Sequence, residues 1–85
     1  MRDLEKLARL EPGGGPDRPV LVESAAQVDV MATARPCPLC QGGLRLVEHA
    51  AETVDRARLR VARLTCTVCG VPRARYFRLD GHALH

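Results

Sequence analysis

Four cysteines in two matched pairs, Cys37 and Cys40 in "CPLC" and Cys66 and Cys69 in "CTVC", are the residues of this chain best placed to do chemistry. Two residues between the members of a pair allow a tight turn to aim both sulfurs at one point, with the intervening backbone amides directed at the thiolates. Pro38 stiffens the first turn and Gly70 relieves crowding after the second. Residues 41–65 separate the pairs, a length suited to two strands and a turn that bring them together. Four thiolates form the closed tetrahedral donor set of a structural zinc site. Iron takes the same ligands, and dithiol redox chemistry or disulfide formation are the other outcomes open to paired cysteines. A thioredoxin-type dithiol requires a βαβ setting, which residues 37–79 do not offer.

Size argues for a staple of some kind. The chain has 85 residues, no Trp, and only Tyr76 and Phe77 as aromatics, so the side chains that dominate small cores are nearly absent. Compartment decides which staple is expected. "MRDLEKLARLE" interleaves charges with leucines where a secretory signal has an apolar run, and no stretch approaches the roughly 18 consecutive apolar residues of a membrane helix. The expected location is the cytoplasm, where paired cysteines serve as metal ligands more often than as disulfides.

The other residues able to do chemistry offer less. His82 and His85 in "GHALH" have the spacing to chelate a second ion, but without a nearby acid they read as a solvated tail. His49 beside Glu48 reads as a strand-surface histidine able to titrate against a neighbouring acid. A four-cysteine site leaves no open coordination position for a catalytic water, so no enzyme activity is expected.

The elements that must position the cysteines follow from local pattern. Residues 1–11 predict a short amphipathic helix with Leu4, Leu7, Ala8 and Leu10 on one side. "PGGGP" at 12–16 then predicts a flexible break. "PVLV" at 19–22 reads as an edge strand or extended segment. Ser24 and Gln27 form a capping box that predicts a helix over 25–34, with Val28, Met31 and Ala32 as its apolar stripe, Met31 filling the core, and Pro36 as its stop. Residues 37–79 read as three antiparallel strands. Leu59 and Val61 share one face and Leu64 falls on the other, which predicts a bulge or twist before Cys66. Phe77 is expected in the core and Tyr76 at the surface. The expected class is a small metal-stabilised α+β fold, with a helical extension over 1–36, a body over 37–79 and a tail over 80–85.

"CPLC", the intervening hairpin, "CTVCG" and the strand after it resemble the zinc-ribbon family, the rubredoxin-like four-cysteine zinc-binding modules. The resemblance covers about half of the chain, residues 1–36 lying outside it, and implies a three-stranded antiparallel ribbon holding one structural zinc. Such ribbons serve in transcription factors, ribosomal proteins, polymerase subunits and protein adaptors. Gln41 stands where these ribbons often have glycine, so the first turn is expected to shift onto Gly42. Some ribbons of transcript-cleaving factors present adjacent acidic residues at the hairpin tip. Here Glu52 and Asp55 are separated by Thr53 and Val54 and followed by Arg56 and Arg58, so that pair is missing.

Charge points to a partner. The formal net charge is +3, with residues 1–36 slightly acidic and residues 37–85 holding eight arginines against Glu48, Glu52, Asp55 and Asp80. Arg56, Arg58 and Arg60 alternate along one strand, Arg73 and Arg75 along the next, and two such rows side by side would suit phosphates. The same arginines would also offset the charge of a four-thiolate zinc centre. Two functions remain open: an accessory or regulatory factor contacting nucleic acid or a nucleic-acid machine through the arginines, and a protein–protein adaptor in which residues 1–36 dock a partner.

Overall fold

Asp55 and Arg56 turn the chain back on itself, both with left-handed backbone (φ 48° and 67°), as a two-residue turn matched to strand twist requires. In this computed structural model, which describes Leu7, Leu10 and residues 11–79, the turn joins β2 (Leu44–Val54) to β3 (Ala57–Cys66). β4 (Pro72–Leu79) pairs antiparallel with the other side of β3. A fourth strand, β1 (Val20–Val22), pairs parallel with β4, Val20 opposite Phe77. The sheet is therefore four-stranded and mixed, in the order β1-β4-β3-β2, where the sequence predicts three antiparallel strands. A three-residue apolar run does not show which strand it will join; here it adds to the outer edge of β4.

The imperfect alternation of β3 has a different cause from the one expected. Ala62, Leu64 and Cys66 face the helix while Leu59 and Val61 are buried on the outer face, because β3 is a central strand with apolar positions on both sides. The bulge lies instead in β2, where Leu46 pairs with Leu64 and Glu48 with Arg63, leaving Val47 over. On the outer face the Arg63 guanidinium pairs with Glu52 diagonally across the rung that joins Val61 to Ala50.

α1 spans Ala25–Ala34, as the capping box predicts. The side-chain carbonyl of Gln27 accepts from the amides of Glu23 (2.6 Å) and Ser24 (3.4 Å), satisfying donors that a helix start leaves unpaired. Val28 and Ala32, one turn apart, are fully buried against the sheet. Met31 is 42% exposed, so the expectation that it fills the core is corrected; the small Ala32 side chain lets the helix lie close with a narrower stripe. One core joins Val22, Val28, Ala32, Leu44, Ala62, Leu64 and Phe77 to Cys37 and Cys66. Phe77 is buried as expected, while Tyr76 is half-buried.

The glycine-rich stretch is not a free linker. The buried Gly13 (φ +83°) donates to the Arg18 carbonyl (2.6 Å) and accepts from the Tyr76 amide (2.8 Å), so it continues the cover of the β4 edge where β1 stops. A Cβ there would meet Val20 at 3.2 Å and the Tyr76 carbonyl at 3.4 Å, which explains a glycine at this close approach. The expected helix over 1–11 lies outside the described residues apart from Leu7, Leu10 and Glu11, all exposed, as does the expected tail over 80–85. Among the described residues no helix is long and apolar enough to cross a membrane.

Candidate metal centre

The hairpin ladder brings the two cysteine turns together. Leu44 pairs with Cys66 as the first rung of β2 and β3, and beyond it the Thr67 amide and hydroxyl both donate to the Gly43 carbonyl (2.9 Å each). The two turns are built alike. In the first, the Gln41 amide donates to the Cys37 carbonyl (2.8 Å) and the Cys37 amide to the Gly42 carbonyl (2.8 Å). In the second, the Gly70 amide donates to the Cys66 carbonyl (3.0 Å) and the Cys66 amide to the Val71 carbonyl (3.1 Å). Gln41 (φ +65°) therefore takes the left-handed position that Gly70 (φ +75°) takes in the other turn. The expected shift onto Gly42 does not occur. Gly42 instead makes room for the second turn. A Cβ there would lie 2.6 Å from Cγ2 of Val68 and 2.8 Å from its Cβ, so its bare Cα lets the turns close on each other.

The four sulfurs of Cys37, Cys40, Cys66 and Cys69 all lie within 4.8 Å of one another. Across the turns, Cys37 is 3.9 Å from Cys69 and Cys40 is 3.3 Å from Cys66. A tetrahedron with metal–sulfur arms of about 2.3 Å has sulfur–sulfur edges of about 3.8 Å, so the cluster can close around one ion with little movement. Cys37 and Cys66 are buried and Cys40 and Cys69 exposed, placing the centre at the end of the core with one side toward solvent.

The electrostatics favour deprotonated sulfur at Cys66 and Cys37 and oppose it at Cys40. The Cys66 sulfur accepts from the amides of Cys69 and Val68 (3.4 Å each), and these amides, the Cys69 amide foremost, hold its thiol at about 6 against burial. At Cys37 burial favours the thiol, but the amides of Cys40 and Leu39, the Arg73 guanidinium and the Cys40 thiol together outweigh it and lower its pKa. The Gly42 amide favours a thiolate at Cys40, yet the proton shared with Cys66, burial and the other thiols push that group up to about 11. Without a cation, neighbouring thiols share protons because adjacent negative charges repel; a bound divalent cation removes that repulsion, and all four can serve as ligands.

The five arginines of the expected basic surface do not form one surface. Arg58 and Arg60 stand on the helix-side face of the β2–β3 arm, opposite Thr53 and Ala51, and Arg56 sits in its turn. Arg75 is turned inward: its guanidinium donates to the carbonyls of Ala32 (2.6 Å), Arg35 (3.2 Å) and Pro36 (3.3 Å) at the end of α1, and burial, with Arg35 next in weight, lowers its pKa. Arg73, opposite Leu64 on the same face, reaches the Cys37 thiol. His49 is tied to the helix, its Nδ1 2.9 Å from Oδ1 of Asp29. That partner lies 20 positions away, and the inward roles of Arg73 and Arg75 depend on where α1 lies, so none of the three has a local sequence signal. Glu52 is engaged by Arg63 and Asp55 sits in the turn. His82 and His85 lie outside the described residues. In comparisons with known proteins, no family model, no curated protein and no solved structure matches the chain, so the assignment of the centre rests on the geometry of its four cysteines.

Proposed function

We propose that the chain is a non-enzymatic zinc-ribbon module of the cytoplasm that holds one structural zinc on Cys37, Cys40, Cys66 and Cys69 and contacts nucleic acid, or a nucleic-acid machine, through its β2–β3 arm. Zinc is favoured over iron by the preference of closed four-thiolate structural sites, and a closed shell has no place for a reacting water. The observation that carries the partner is the distribution of charge on the arm. Arg58 and Arg60 share one face with Ala51 and Thr53, while Glu48 and Glu52 lie on the other. Arg63, on that other face, is paired with Glu52, so the guanidinium groups of Arg58 and Arg60 are the ones of the arm that fit against phosphates.

The test is binding of the zinc-loaded protein to a labelled oligonucleotide at low and rising salt. Replacing Arg56, Arg58 and Arg60 by glutamine should weaken binding without loss of zinc, each lost phosphate contact removing about 0.7–0.9 from the log–log salt slope. No binding at low salt, or unchanged binding by the triple variant, rejects the reading. A protein–protein adaptor is the second reading, supported by Leu21, Val30 and Met31, apolar side chains of the N-terminal part that stand exposed.

A further inference from the structure

A stretch of strand edge that no backbone group among the described residues pairs with, and three guanidinium groups, meet in one cleft of about 320 Å³. One wall is the glycine-rich turn at Gly13 and Gly14, the other the end of α1 at Met31 and Arg35, and Pro38 of the first cysteine turn closes one end. The floor is β4 from Pro72 to Phe77. Tyr76 gives its outward amide to Gly13. Because strand groups two residues apart point the same way, the N–H and C=O of Ala74 also point out of the sheet edge, past the point where Gly13 and β1 stop covering it.

We infer that this cleft binds a short extended segment of a partner protein that adds to the β4 edge at Ala74 and places an acidic side chain among Arg35, Arg73 and Arg75. An added strand offers hydrogen-bond partners to Ala74, and its neighbouring residues project to the helix-side face, where Arg73 and Arg75 stand. Among the described residues Glu11 is the one carboxylate lining the cleft, against Arg35, Arg73 and Arg75, which leaves these walls positive. The four thiolates behind Arg73 and the carbonyls held by Arg75 offset part of that charge, so a single carboxylate fits better than a polyanion. Pro12, Val20 and Met31 supply apolar surface for the side chains beside it. The site is separate from the arm that carries the proposed nucleic-acid contact.

The test is a titration of the zinc-loaded, 15N-labelled full chain with a capped heptapeptide of alternating threonine and valine bearing one central glutamate, and with its glutamine twin. The glutamate peptide should move the amide resonances of Gly13, Gly14 and Ala74 saturably. The glutamine twin and the Arg35→Gln variant should each bind about tenfold more weakly, the value of one charge-assisted hydrogen bond. Ala74→Pro removes a donor that faces away from β3 and should abolish the response; if that variant loses zinc, the twin peptide and Arg35→Gln still decide. Absence of shifts in the cleft, equal binding of the two peptides, or displacement of the peptide from the cleft by oligothymidylate would each overturn the inference. Phosphate contact at the arm is read from amides 56–60, so the two readings succeed or fail separately.

Discussion

Gln41 and Gly70 occupy the same position in the two cysteine turns, each one residue after the second cysteine and each in left-handed backbone (φ +65° and +75°). A side chain in that conformation costs about 1–2 kcal/mol relative to right-handed backbone, and only one of the two turns avoids the cost. Gln41→Gly should therefore stabilise the zinc-loaded protein by up to about 1 kcal/mol, part of the gain being lost to the greater freedom of glycine in the unfolded chain. Gly70→Val should destabilise it. Thermal unfolding of the two variants checks both signs, and an unchanged midpoint for Gln41→Gly would show that the glutamine carries no conformational penalty.

Metal removal is expected to unfold the chain. Cys37 and Cys66 belong to the core, and structural zinc contributes apparent energies on the order of 10–16 kcal/mol in small folds. Elemental analysis should give one zinc per chain, and a strong chelator should abolish the far-ultraviolet circular dichroism of the folded sheet. A cooperative fold that survives chelation would contradict this.

Closure of the two turns depends on Gly42. Gly42→Ala puts a methyl against the β-carbon of Val68, which must move the second turn and should cost more than about 1 kcal/mol, within the range of overpacking. Val68 is itself 72% exposed, so Val68→Gly should restore part of the loss in the double variant. A double-mutant cycle on thermal stability reads the coupling; strict additivity of the two changes would rule out this contact as the cause.

The arginines should separate into structural and surface groups. Arg75→Gln leaves the carbonyls of Ala32, Arg35 and Pro36 without their donor and should destabilise the fold by about 1–3 kcal/mol. Lysine should not replace it, having no planar fork to span three carbonyls. Arg58→Gln, on the open arm, should stay within about 0.5 kcal/mol of the parent. Equal effects of Arg75→Gln and Arg58→Gln on chemical denaturation would deny Arg75 its structural role.

Local pattern is enough to find the helix, the β2–β3 hairpin and the candidate metal ligands. Spacing alone selects Cys37, Cys40, Cys66 and Cys69, because two intervening residues force both sulfurs of a pair to one side of a turn, and Ser24 with Gln27 places α1 because capping is a contact between residues three apart. Relationships between distant segments are set by packing instead. β1 becomes a parallel strand because the β4 edge is open to it, and the glycine-rich turn docks because Gly13 can approach the Tyr76 backbone. Arg73 and Arg75 face inward because α1 and the first cysteine turn lie over β4; their spacing matches that of Arg58 and Arg60, of which Arg58 is exposed and Arg60 half-buried opposite Phe77. Strand alternation tells which residues share a face, but what covers that face depends on segments far away in the chain, as the distance of 43 positions between Arg75 and Ala32 illustrates.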